Sequence, residues 1–152
     1  TTAEGRWNTM RRYGESKVFG QTYRARPGVY ALLARNERVL LTYQGGIHHE
    51  FQFPGGGIDP GESPIAALHR EVFEETGWRI ASPTFIRSFR RFVYMPEYDM
   101  WAEKICRVYR AFPVRQLSEP PEPDHSAHWV STEEASLLLG NPGERDVLNT
   151  IL

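Results

Sequence analysis

The sequence predicts an α/β layered fold in one domain, and three observations carry that reading. Apolar runs of strand length fall in two groups, Gly28 to Tyr43 and about 84 to 112. A capped segment of helical periodicity stands between them, and two short helical segments close the chain. The 152 residues fit a single domain of ordinary size, with no internal repeat and no second composition zone. Strands mixed with helices throughout place the chain in the layered α/β class.

Residues 1–25 are polar with little periodicity and read as a partly ordered N-terminal arm, leaving 26–152 as the domain proper. Gly28 to Ala34 and Arg38 to Tyr43 read as a hairpin around Arg35-Asn36-Glu37. Gly45-Gly46 open a loop that carries His48 and His49. Glu50 to Phe53 alternates, and Pro54 with Gly55, Gly56 and Gly57 ends that pattern in a glycine loop. A helix follows over 63–76, with Ser63 as N-cap, Pro64 at the first helical position and Gly77 just past its end. Strands resume at about 84–94 and 101–112, where Cys106 alternates inward as an inert core residue. The four prolines of 113–125 predict a loop, His128 to Val130 a short strand. Ser131 and Glu134 have capping-box spacing for a helix through Leu139. Asn141-Pro142-Gly143 breaks it before a terminal helix over 144–152.

Composition excludes several classes. Hydrophobic residues are 40% and charged residues 24%, an ordinary globular balance rather than that of a disordered chain. A net charge of −1 gives no polyelectrolyte surface for duplex nucleic acid or membrane. One cysteine makes no internal disulfide, which favours a reducing cytoplasm. No apolar run approaches the ~20 residues of a membrane span, and no signal-peptide pattern opens the chain.

The 63–76 helix holds the chemistry. Its periodicity assigns Ile65, Ala66, Leu68, Val72 and Phe73 to one core-facing arc and Glu71, Glu74 and Glu75 to the opposite one. Glu71 meets Glu74 and Glu75 at i,i+3 and i,i+4, where like charges repel by a few tenths of a kcal/mol. All three also stand toward the negative end of the helix dipole. A solvated face explains such a cluster poorly. A hard divalent cation reverses the sign of each of these terms, and clustered carboxylates suit Mg²⁺ or Mn²⁺. The glycines before the helix let the backbone approach closely enough for a carbonyl to join as a ligand.

Gly56, five residues, Glu62, seven residues, then Arg70-Glu71-Val72-Phe73-Glu74-Glu75-Thr76-Gly77-Trp78 reproduces the Nudix box, and the chain is identified as resembling that family. Seven fixed residues at about 7% usage each make a chance match rarer than about one in a million. Trp78 departs from the usual Ile, Leu or Val. The resemblance implies a mixed sheet between helices, an α/β/α sandwich. It also implies hydrolysis of a nucleoside diphosphate linked to another moiety, by Mg²⁺- or Mn²⁺-activated water. Carried over by position, Glu71, Glu74 and Glu75 match the metal-binding glutamates and Arg70 the arginine that steadies them. Gly55 matches the carbonyl ligand, and Glu62 matches the box glutamate that supports the loop or the metal's waters. Some members add an acid from a later loop, which here is Glu122 or Asp124. Many members form homodimers, a role open to the arm.

The stretch Gln52-Phe53-Pro54-Gly55-Gly56 looks like that of bacterial dinucleoside-polyphosphate and RNA 5′-pyrophosphate hydrolases. On that likeness a small-molecule nucleotide would meet Phe53, Tyr94, Arg87 and Arg91, with Arg90, Tyr98 and Trp101 nearby. His48 and His49 lack a metal-ligand pattern and read as solvent-exposed. The alternative substrates are a nucleoside triphosphate, ADP-ribose or a nucleotide sugar. A nucleotide-binding regulatory module is the non-enzymatic alternative, but degenerate members usually lose a box glutamate and this chain keeps all of them.

Overall fold

The computed structural model describes residues 10–14, 16–46 and 49–152, so His48 lies outside the described residues. Eight strands and three α-helices are formed there. The strands are β1 (Arg11–Gly14), β2 (Arg24–Arg35), β3 (Arg38–Gln44), β4 (Glu50–Gln52), β5 (Gly55–Gly57), β6 (Trp78–Met95), β7 (Met100–Gln116) and β8 (His125–Ser131). The helices are α1 (Pro64–Thr76), α2 (Thr132–Leu138) and α3 (Pro142–Ile151), with a 3₁₀ turn at Pro96–Tyr98. The strand order is β1-β6-β7-β2-β3-β4, with β5 beside β2 and β8 beside β3. The sheet is mixed: β1–β6 and β2–β7 are parallel, and the other pairs antiparallel.

Strand β2 explains the layering. Gly28 to Leu33 is buried on both faces, as a strand covered from two sides must be. Val29, Ala31 and Leu33 point to one core with Ala67, Leu68 and Val72 of α1. Tyr30 and Leu32 point to the other, with Ala135, Leu139, Val147 and Leu148 of the C-terminal helices and their connection. The result is the α/β/α sandwich. Asn36 and Glu37 both take positive φ, 53° and 63°, the two-residue turn that matches strand twist.

Several local expectations need correction. Gly55 to Gly57 is a short strand rather than a loop, paired with Tyr30, Val29 and Gly28. Pro113 lies inside β7, opposite Ile80 beside a register shift, where the missing N–H is tolerated. The proline loop is therefore shorter, starting after Gln116. The arm is partly ordered as expected, with β1 hydrogen-bonded along β6. The inward arc of α1 also differs, because Ile65 and Phe73 are 39% and 36% exposed while Glu75 is buried at 4%. At 100° per residue Glu75 falls between Leu68 and Ala67, toward the sheet and not away from it.

The helix ends follow their sequence signals. Ser63 Oγ accepts from the Ala66 N–H at 3.1 Å. Gly77 closes α1 at φ 76°, and a Cβ there would stand 1.8 Å from the Ser118 carbonyl oxygen. Trp78 packs edge-on against Trp129 with the Arg35 guanidinium 5.0 Å above its ring, so the larger residue fills this core. Asn141 caps α3, its side chain accepting from Gly143 and Glu144.

Glu144 is 1% exposed and accepts the Phe53 N–H at 3.0 Å. Burial pushes its carboxyl from 4.5 up to about 8, with the Phe53 bond opposing, Glu50 adding and Arg91 and Lys104 opposing. The folded state therefore keeps a proton that the unfolded chain has lost between those values, and stability falls as pH rises through the window. Denaturant titrations should show that fall from about pH 5 to 8, and Glu144→Gln should flatten it while retaining the acceptor. An unchanged slope in the variant would refute the assignment.

Candidate active site

Arg70 organises the site from one turn of α1. Its Nε and Nη2 donate to the two oxygens of Glu62, both at 2.8 Å. Nη1 donates to Glu71 at 2.8 Å and to Glu74 at 3.3 Å, and Nη2 also reaches the Gly57 carbonyl at 3.0 Å. Glu62 Oε1 accepts the Asp59 N–H at 3.0 Å, closing the loop between β5 and α1. These charge-assisted bonds hold Glu62 down at about 2, and Glu62 in turn raises Arg70 further. The carboxylates repel each other, and one guanidinium offsets the repulsion.

Glu71 and Glu75 reach back under β5. A Cβ on Gly56 would stand 2.5 Å from a Glu71 oxygen, so a side chain there would push that carboxylate out of place. The Gly55 N–H donates to Glu75 Oε1 at 3.0 Å. Burial pushes the Glu75 carboxyl well above its ordinary range; the Gly55 bond opposes this, and Glu71, Glu122 and Glu144 add to it. Glu71 is raised too, by burial first, with Arg70 opposing. Both strain against ionisation unless a cation joins them.

The end of α1 brings in a fourth acid. Helices leave their last carbonyls without partners. Here the Glu74 carbonyl accepts the Glu122 N–H at 3.0 Å, and the Gly77 carbonyl accepts Leu117 at 2.8 Å. The proline loop is thereby pinned over the glutamates. Ligand atoms of Glu71, Glu74 and Glu122 lie within 4.8 Å of one another, as do those of Glu75, Glu122 and His125. Asp124 lines the same cleft but belongs to neither group, and its φ of 64° turns the chain so that its carbonyl accepts the Gly45 N–H. Geometry thus separates the two acids that spacing left open.

The cleft above the glutamates has a volume of about 570 Å³. Its second wall is basic. Arg26 on β2 lies opposite Lys104 on β7, and Lys104 opposite Arg91 on β6, a row of three cations across neighbouring strands. Tyr98 closes one end, with Arg26 5.1 Å from its ring centre. Of the residues expected at substrate, Arg91 is placed here, near Glu50 at 3.8 Å. Arg87 is outside the lining, its charge felt by Tyr13. Tyr94 is also outside; its hydroxyl donates to Asp99 and its ring packs on Trp101. Phe53 needs correction: its side chain is 0% exposed in the core, so it supports the site through the backbone and cannot touch a ligand. Arg26, Lys104 and His125 were missed because their places depend on strand register or on the loop pinned to α1. His49 is exposed, bonded to the Tyr43 hydroxyl at 3.1 Å.

A glycine strand, a glutamate-rich helix and a pinned acidic loop around one cleft define an α/β/α protein with acid gathered on one wall of that cleft and base on the other. The NUDIX domain model matches residues 23–151, and the chain belongs to the Nudix family. It is 37% identical over 68 residues to an RNA pyrophosphohydrolase of Pectobacterium atrosepticum, covering 45% of this chain and 38% of that one. A second RNA pyrophosphohydrolase, of Proteus mirabilis, is 44% identical over 52 residues, 34% of this chain and 30% of the other. The chain therefore matches well under half the length of these curated relatives. Among solved structures, a NUDIX hydrolase from Nitrosomonas europaea shares the fold at TM-score 0.64 and 19% identity, covering 83% of this chain and 87% of that one. A MutT NUDIX hydrolase from Burkholderia pseudomallei does so at TM-score 0.66 and 22% identity, over 85% and 99%.

The two helix-end glutamates should respond oppositely to loss of charge in metal-free protein. Glu75→Gln keeps an acceptor for Gly55 and removes a buried charge, so it should raise Tm. Glu74 is 40% exposed and paired with Arg70, so Glu74→Gln should leave Tm unchanged or lower. Calorimetry without metal compares them, and a destabilised Glu75→Gln would contradict the burial argument.

Proposed function

We propose that this chain is a Mg²⁺- or Mn²⁺-dependent pyrophosphohydrolase acting on a nucleoside diphosphate linked to another moiety. A dinucleoside polyphosphate or a 5′-triphosphorylated RNA end is the substrate class we favour, in a cytoplasmic setting. The observation that carries this reading is the pairing of walls in one cleft, where Glu71, Glu75 and Glu122 face a row of three cations and Glu74 stands beside them. Family membership and the likeness to RNA pyrophosphohydrolases support it.

The glutamate set fits a hard divalent ion. Raised carboxyls, close oxygens and a glycine strand against them are features that a cation would stabilise. Glu71, Glu74, Glu75 and Glu122 would hold it, with the Gly55 carbonyl. When bound, such an ion neutralises charge on phosphate oxygens and makes its water acidic enough to serve as nucleophile. Arg70 keeps the glutamates in place and stays charged throughout. Arg26, Lys104 and Arg91 repel each other across the strands, Glu50 beside Arg91 offsets part of this, and a phosphate chain relieves the rest. Tyr98 offers its ring to a base at the cleft end. No helix among the described residues is long and apolar enough to cross a membrane.

Glu74→Gln and Glu122→Gln should each lower kcat by at least ~100-fold, whereas Asp124→Asn should stay within ~3-fold of wild type. Mg²⁺ or Mn²⁺ should raise Tm with concentration in wild type and less in the two glutamate variants. Steady-state assays and thermal melts read both, and full turnover by Glu74→Gln would defeat the site assignment.

The cation row favours a long phosphate chain. Diadenosine tetraphosphate or 5′-triphosphorylated RNA should be cleaved with kcat/KM at least ~10-fold above ADP-ribose, about 1.4 kcal/mol of transition-state preference. Tyr98→Ala should erode this preference mainly through KM, and Tyr94→Ala should not. A substrate panel settles the matter: better cleavage of ADP-ribose, a nucleotide sugar or a nucleoside triphosphate would overturn the substrate class and leave the chemistry standing.

A further inference from the structure

His125 opens β8 where the proline loop ends, and its side chain is 3% exposed. Its Nδ1 is buried with no hydrogen-bond partner among the described residues. A buried polar atom left unpaired is destabilising. Nδ1 faces Glu75 Oε2 at 3.8 Å, and Nε2 faces Glu122 Oε1 at 3.9 Å. Both distances are too long for hydrogen bonds. An imidazole gives one nitrogen to a given ion, and either distance suits a nitrogen and an oxygen on one ion, since ligands at ~2.1 Å from a metal stand roughly 3–4 Å from one another. One ring nitrogen and one oxygen from each glutamate do lie within 4.8 Å of one another.

We propose that His125 is a nitrogen ligand to a divalent ion held with Glu75 and Glu122, and that it tilts this position from Mg²⁺ toward first-row transition ions such as Mn²⁺. This rests on the metal-dependent reading above and deepens it. The physical ground is donor type. Mg²⁺ is hard, dehydrates reluctantly and takes oxygen almost alone, whereas imidazole is a ligand for first-row metals. Glu71, Glu74 and Glu122 form the all-oxygen group beside it, and the two groups share Glu122. The cleft thus offers two donor sets of different hardness a few ångströms apart. Burial of His125 matters as well, because water cannot easily replace a ring held in place by the strand and loop around it. The proline loop, pinned to α1 by the Glu122 N–H, fixes the position of Glu122 and brings His125 in behind it.

The experiment loads the intact protein with Mn²⁺ alone and records pulsed EPR for nitrogen coupled to the ion, beside calorimetric titrations with Mn²⁺ and Mg²⁺. Wild type should show ¹⁴N coupling, and His125→Gln should lose it. In that variant the Mn²⁺ Kd should rise at least ~10-fold while the Mg²⁺ Kd stays within ~3-fold. His125→Asn provides a second variant should the glutamine fail to fold, and the wild-type spectrum decides without either. Nitrogen coupling that is absent from wild type, or persists in a folded His125 variant, overturns the proposal. So does an equal loss of Mn²⁺ and Mg²⁺ affinity, which would make His125 a residue that merely positions the carboxylates. If Mn²⁺ binds without nitrogen coupling and Glu75→Gln weakens it, the carboxylate metal reading stands and only His125 falls. If Mn²⁺ does not bind at all, both fall.

Discussion

Arg70 and the carboxylates around it are the junction on which the rest of the site depends. Three glutamates on the last turns of α1 repel each other and meet the negative end of the helix dipole. One guanidinium binds two of them, fastens Glu62 with both of its remaining edges, and reaches the Gly57 carbonyl. The same fork therefore ties helix, loop and β5 together, which a lysine point charge would not do. Glu75 is outside its reach. That residue is turned under the sheet and depends on the single Gly55 N–H. The cluster is thus only partly compensated within the chain, and the deficit is concentrated on the buried side, where the cleft opens.

Two further constraints build on this one. The glycine strand passes against Glu71 at Gly56 and against the Val29 carbonyl and Tyr30 of β2 at Gly55, which leaves little space for a side chain at either. The end of α1 must satisfy its carbonyls, and it does so with backbone N–H groups from the proline loop. A requirement of ordinary helix capping carries Glu122 and His125 to the site. Neither is aimed there by its own element alone.

Much of this was legible in the sequence, and the boundary of what was legible has a physical form. Caps at Ser63, Ser131 and Gly77, the hairpin at Asn36 and the α/β class follow from local rules, and the structure has each of them. The box spacing marked Arg70, Glu62 and the three helix glutamates. The inward arc of α1 was misplaced because Glu75 was grouped by charge, although its angle puts it with Leu68. Pro113 was assigned to a loop because a bulge that tolerates it depends on the facing strand. Phe53 was assigned to substrate by its neighbours in the chain, while alternation along the strand sends it to the core. Tyr94 and Tyr98 stand on one hairpin four residues apart, and only the turn at Pro96–Tyr98 decides which one reaches the cleft.

The basic row shows most clearly what sequence alone cannot contain. Arg26, Arg91 and Lys104 are scattered across three strands; Arg91 is legible as a candidate, but nothing in the local patterns of Arg26 and Lys104 separates them from the chain's other cations. Parallel pairing of β2 with β7 and antiparallel pairing of β7 with β6 set them side by side. Register, not composition, makes them a site, since a slip of one residue would turn each side chain to the other face. The chain's net charge of −1 conceals this separation, with acid on one wall and base on the other. A ligand that stabilises both walls must carry negative charge toward the strands and bring or share a cation toward the helix. A metal-bound phosphate chain satisfies both demands at once. A bare anion would be repelled by the glutamates and a bare cation by the arginines, so occupation of one wall favours occupation of the other.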